Sequence, residues 1–147
     1  MAIKPWVDYF LDLAKTCSSR SNCLRAQVGA VIVGDDKKIK ATGYNGTPSG
    51  VESCYELGEC YSIKNNIQSG TIYETWRYIH AEQNAIIQAG QDRCKGSTMY
   101  IYGHNFICIL CKRFIVQSGI KEVFLKKDDN SEIVRVSVEE IKRELEE

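Results

Sequence analysis

Two short clusters constrain this chain more than anything else in it. One is His80-Ala81-Glu82, inside "RYIHAEQNAIIQAG" (77–90); the other is "CILC", with Cys108 and Cys111 three residues apart. Each stands at the front of a segment with helical periodicity, and a strand-like run, "TMYIYG" (98–103), lies between them. A histidine and a glutamate two apart point roughly 200° away from each other around an ideal helix. They can share one site only where both lean over a helix N-terminus. Two cysteines three apart at a helix start place both sulfurs on one face, where the helix N-terminus favours thiolate. If the clusters meet, the fold must bring two helix starts together on either side of one strand.

The remaining segments supply such a fold. Residues 5–17 space Trp6, Phe10, Leu13, Ala14 and Cys17 as one helical face, with Pro5 suited to the first turn. "QVGAVIVG" (27–34) and "IKATGY" (39–44) flank a "DDKK" turn and read as a hairpin. Residues 45–71 are polar, Gly-rich and aperiodic, which in a compact domain implies a functional or tied-down segment. The helix carrying the histidine should begin within a residue or two of His80 and stop at Gly90. A helix from "CILCKRFIVQSG" stops at Gly119. Strands then follow at "IKEVFLK" (120–126) and "EIVRVS" (132–137), and a last helix opens with Ser137 and Glu140 at capping-box spacing. The order α-β-β-α-β-α-β-β-α predicts one α/β domain over 1–147, a sheet with helices on its faces.

Lys+Arg and Asp+Glu both total 19, which argues against a nucleic-acid partner bound through counterion release. No apolar run reaches membrane-spanning length, and "MAIKPWVDYF" lacks the apolar core of a signal peptide, so the cytoplasm is the expected compartment. There, seven cysteines favour metal ligation or catalysis over disulfides. Cys17 and Cys94 read as incidental thiols. A lone helical histidine or a lone CxxC has an ordinary structural reading. Together, His80, Cys108 and Cys111 make a three-ligand zinc set with one coordination position left for water. Glu82 need not be a ligand: a carboxylate beside water at that position can take its proton and return it to a leaving amine.

"HAEQNA" followed by "CILC" resembles the H-x-E…P-C-x-x-C signature of zinc-dependent nucleobase deaminases. "RSNCLRAQVGAVIV" and "ATGYNGTPSG" are similar to the front half of deoxycytidylate deaminases and related competence-operon proteins, and the resemblance runs from about Trp6 to Lys126. It implies a three-layer α/β/α cytidine-deaminase-like fold with a central mixed five-stranded sheet. It also implies hydrolytic deamination of dCMP to dUMP and ammonia, with Glu82 as the proton shuttle, in a homo-oligomer, either hexameric or built from dimers. One departure is Ile107, where the family carries proline; a proline there makes no zinc bond, so base specificity is more exposed than metal binding.

On the substrate side the resemblance assigns Asn45 to the sugar and the Ala81 N–H to the pyrimidine carbonyl, although Asn-Gly is also a common turn pair. Arg25 is a phosphate candidate, because guanidinium suits bidentate phosphate contacts, with Arg20 behind it. Phe106 either walls the base or belongs to the core. Some relatives hold a second, structural zinc at positions resembling Cys23 and Cys54. Here Cys60, with Glu56 or Glu59, would have to complete that set; the other reading is three free thiols in a flap. Two rival functions remain: a deaminase of another base, nucleoside or nucleotide, and a zinc-stapled binding or regulatory protein without activity.

Overall fold

The computed structural model describes residues 2–68 and 77–147. Eleven elements follow in chain order: α1 (Trp6–Ser18), β1 (Gly29–Val33), β2 (Ile39–Tyr44), α2 (Cys54–Leu57), α3 (Tyr61–Lys64), α4 (Ala81–Cys94), β3 (Thr98–Tyr102), α5 (Ile109–Ser118), β4 (Glu122–Lys126), β5 (Val134–Ser137) and α6 (Val138–Glu146). The five strands form one sheet in the order β2-β1-β3-β4-β5. The β3–β4 pair is parallel and the other three are antiparallel, so the sheet is mixed. The parallel pair exists because α5 carries the chain back over the sheet between its strands, as a parallel connection requires.

β1 is buried along its whole length because helices cover both faces of the sheet. Val31 and Val33, with Tyr100 of β3, face α1 and pack on Phe10, Leu11 and Ala14. Ala30 and Ile32, with Met99, Ile101, Val123 and Leu125, face the other way. They meet Ala81, Ala85 and Ala89 of α4, Ile115 of α5 and Ile141 of α6. Registry puts Ile32 beside Met99 and Met99 beside Val123, so each apolar side continues across strands.

Two glycines set the depth at which the helices rest on the sheet. A Cβ on Gly29 would lie 1.9 Å from the Ala14 carbonyl oxygen of α1. One on Gly43 would lie 2.4 Å from the Ala81 carbonyl oxygen at the start of α4. Neither helix could sit so close over any larger residue.

Gly90 leaves the helical conformation, with φ +75, as its place as a stop implied, and one further turn carries α4 to Cys94. Gly119 closes α5 in the left-handed conformation, and Ser137 caps α6 by accepting from the Glu140 N–H at 3.2 Å. The 45–71 segment differs from its aperiodic reading: it holds the short helices α2 and α3. Ser53 and Glu56 form a capping box at the start of α2. Residues 69–71 of that segment lie outside the described residues.

Candidate active site

His80 is the N-cap of α4 and Cys108 the N-cap of α5, so both helix starts present their side chains to the same point. Extended backbone at each cap turns the chain into the helix, and the His80 N–H donates to Gln83 Oε1 at 2.9 Å. The Cys111 N–H donates to Cys108 Sγ at 3.2 Å, which fixes the second thiol one turn on. Their convergence requires α4 to lie deep on β2, which Gly43 permits, and a short connection, residues 103–108, to carry the chain from the end of β3 into α5. Ile107, in the place of the family's proline, is buried in the core between α4 and α5, so apolar burial does the work of steering the chain into α5.

The Nδ1 of His80 lies 3.2 Å from Cys108 Sγ and 3.3 Å from Cys111 Sγ, and the three ligand atoms are all within 4.8 Å of one another. A tetrahedral zinc with bonds of about 2.0 Å to nitrogen and 2.3 Å to sulfur separates the two atoms by about 3.5 Å. The three donors therefore fit one zinc ion, and they are the only such group of three among the described residues.

The two thiols share their protons unequally. The hydrogen bond from Cys111, with help from the His80 ring, pulls Cys108 down to about 4, while Cys111 rises for the same reason and through burial. His80 is held above its usual value: burial opposes its charge, but the Cys108 thiolate outweighs burial. Glu82 is 3% exposed and in hydrogen-bonding reach of Cys111; burial pushes its carboxyl up, against the pull of His80. A buried carboxyl beside a metal centre can hold a proton and pass it on.

Ala81 is the first residue of α4, so its N–H has no acceptor within the helix, and the residue is fully buried at the centre. Asn45 is also buried, but its side chain is occupied: Oδ1 accepts from the Val28 N–H at 2.9 Å and Nδ2 donates to the Ala26 carbonyl at 2.8 Å. The next residue, Gly46, exchanges backbone hydrogen bonds with Ile79 at 3.1 and 2.8 Å, which ties this turn to the residue before His80. Phe106 is 48% exposed, which excludes the core reading, and its ring lies 4.9 Å from that of His104. Arg20 is exposed.

Arg25 is half-buried, and its Nη1 donates to Ser62 Oγ at 3.1 Å and to the Ile67 carbonyl at 2.7 Å. Cys23, Cys54 and Cys60 are buried free thiols, yet the described residues do not assemble them into a second metal centre. Each intended helper has another partner in this structure. Cys60 Sγ pairs with Ser62 Oγ at 3.2 Å, Glu56 caps α2, and Glu59 pairs with Lys64 at 2.9 Å. Tyr78 is the residue the sequence reading passed over. Its phenol is driven far above the usual range by burial and by the neighbouring Cys23 thiol, and Cys60 and Arg25 lie within its field. No spacing in the sequence marks a tyrosine for that position.

Residues 4–127 match the family described as the cytidine and deoxycytidylate deaminase zinc-binding region. The chain is 40% identical over 118 residues to the deoxycytidylate deaminase of Schizosaccharomyces pombe, a match that spans 80% of this chain and 36% of that protein. It is 33% identical to the deoxycytidylate deaminase of Mycobacterium phage D29 over 87% of this chain and 99% of the phage protein. The chain thus spans about a third of the yeast relative's length, and the matched part of the phage protein is nearly all of it. The solved dCMP deaminase of cyanophage S-TIM5 in complex with dCMP and dUMP superposes with a TM-score of 0.60. It is 29% identical, with 84% of this chain and 83% of that one covered. A donor set that fits zinc between two helix starts is thus matched by sequence and fold alike, and the chain belongs to the cytidine and deoxycytidylate deaminase zinc-binding family.

Proposed function

We propose that this protein deaminates dCMP to dUMP and ammonia. The observation that carries the reading is the buried Glu82 carboxyl beside a three-donor zinc centre. A purely structural zinc site has no use for a carboxyl in that position, which disfavours the non-catalytic alternative. Relatives that carry the name deoxycytidylate deaminase, and a neighbour holding dCMP and dUMP, support this substrate over other bases.

His80, Cys108 and Cys111 would hold the zinc, which when bound would act as a Lewis acid that activates water near neutral pH. Glu82 moves the protons: it accepts one from water as the oxygen bonds to C4 and delivers it to N3 of the cytosine ring. It then takes the remaining hydroxyl proton and gives it to the amino group, so that the C4–N bond breaks, ammonia leaves and the C4 carbonyl of uracil forms. The Ala81 N–H, at the free end of α4, donates to the ring carbonyl in this reading. Asn45 shapes the sugar side through the turn it holds, and the half-exposed Phe106 ring, with the His104 ring beside it, walls the base.

The working protein is a cytoplasmic homo-oligomer in this reading, a hexamer or an assembly of dimers. Seven free thiols suit a reducing compartment, and Ile87, Ile109 and Phe114 leave apolar surface exposed on α4 and α5. No helix among the described residues is long and apolar enough to cross a membrane.

Ultraviolet loss of the cytosine chromophore, followed with dCMP, CMP, deoxycytidine and cytosine, tests the substrate. The reading expects dCMP to have the highest kcat/KM. Faster turnover of the free nucleoside or base refutes the nucleotide assignment.

A further inference from the structure

Arg25 entered as a phosphate candidate, yet the structure gives its guanidinium another task. Nη1 bridges Ser62 Oγ, at 3.1 Å, and the Ile67 carbonyl, at 2.7 Å, so one side chain grips both α3 and the residues after it. Both acceptors are neutral, and none of the ion pairs among the described residues involves Arg25. Ser62 is 2% exposed, so if the arginine leaves, its hydroxyl keeps the 3.2 Å contact with Cys60 Sγ but gains no water in exchange.

The gripped segment leans on the approach to the metal centre. The Arg77 guanidinium stands 5.4 Å over the Tyr61 ring, and Tyr78, beside Cys60 and Cys23, follows it two residues before His80. On its other side Arg25 adjoins Ala26, whose carbonyl accepts from Asn45 Nδ2 at 2.8 Å. Asn45 leads into Gly46, which pairs with Ile79, the neighbour of His80. Two routes of contact therefore run from Arg25 to the residues that aim His80, one through the flap and one through Asn45.

We infer that Arg25 is a positioning residue that clasps the 60–67 segment against the entry to α4, and that it does not bind the substrate phosphate. The inference rests on the deaminase reading only for its kinetic arm. Hydrogen exchange of residues 61–67 in the zinc-loaded, substrate-free protein reads the clasp directly. Losing hydrogen bonds from a charged donor should speed exchange there by about tenfold in Arg25→Ala. Ser62→Ala, which leaves the arginine in place, should reproduce a smaller part of the effect. Arg25→Lys, whose shorter stem ends before the Nη1 position and lacks the planar guanidinium, should fail to restore protection. In turnover, Arg25→Ala should lower kcat/KM for dCMP and deoxycytidine by the same factor.

Unchanged exchange over 61–67, or a rise in KM confined to dCMP and partly repaired by Arg25→Lys, overturns the inference and makes Arg25 a phosphate ligand. If the unmodified protein turns over neither substrate, the deaminase reading fails, and the exchange measurements still decide the clasp.

Discussion

Replacing Gly43 with alanine should damage the metal centre without touching any residue of it. Gly43 lies in β2 beneath the first turn of α4. A Cβ there would meet the Ala81 carbonyl oxygen at 2.4 Å and the Ala85 nitrogen at 2.7 Å, both backbone atoms that no rotamer change can move. Ordinary contact begins at 3.4 Å, so the start of α4 must withdraw by about 1 Å, the difference from 2.4 Å. Overpacking of this kind costs about 1–3 kcal/mol. The withdrawal carries His80 with it, away from two sulfurs now 3.2 and 3.3 Å from its Nδ1. Disturbing the residues that aim a metal ligand costs about 10–100-fold in affinity. Gly29→Ala is the control, because its Cβ would strike Ala14 of α1, on the opposite face of the sheet. Urea unfolding of the zinc-free proteins measures the strain, and competition with a chromophoric chelator measures zinc affinity. Both variants should lose stability, and only Gly43→Ala should lose zinc affinity. Wild-type affinity in Gly43→Ala, or an equal loss in Gly29→Ala, refutes the reasoning.

Other consequences are simpler to read. Zinc should raise the unfolding free energy by about 4 kcal/mol when free metal exceeds Kd a thousandfold, and Cys111→Ser should abolish that rise in thermal melts. His104 is held below its ordinary 6.5 by burial and by His80, so the unfolded chain takes up its proton first as pH falls. Stability should therefore decline as pH drops through 6.5 and below, and His104→Gln should flatten that part of the urea-midpoint profile against pH. Ser137→Ala removes the acceptor for the Glu140 N–H and should cost about 1 kcal/mol with an unchanged urea m-value.

The clusters at 80–82 and 108–111 were legible because metal chemistry fixes both residue type and spacing, and the spacing is local. Element order was legible for a related reason: Gly119 and Ser137 mark helix ends, and Gly90 the break inside α4, through backbone conformation or capping that each residue carries alone. The start of α2 was equally local, since Ser53 and Glu56 spell a capping box, but the polar composition around it obscured the signal. What could not be read were the long-range partners. Arg25 meets Ser62 across 37 positions, and Asn45 Oδ1 meets Val28 across the chain turn that β1 and β2 create. Nothing in "NCLRAQVGA" or "CYSIKNN" announces the other. The surroundings of Cys60, Glu56 and Glu59 were equally hidden: the resemblance suggested a second zinc there, while the hydrogen bonds these residues make are properties of the folded flap.

The role of Glu82 is the claim on which everything else depends, and turnover of dCMP by Glu82→Gln, with zinc content measured on the same sample, tests it most directly. The amide keeps the size of the side chain but cannot carry the proton. The account predicts one full equivalent of zinc at the His80–Cys108–Cys111 centre and a fall in kcat of at least about 100-fold. A zinc-loaded variant that deaminates dCMP at the unmodified rate would contradict it.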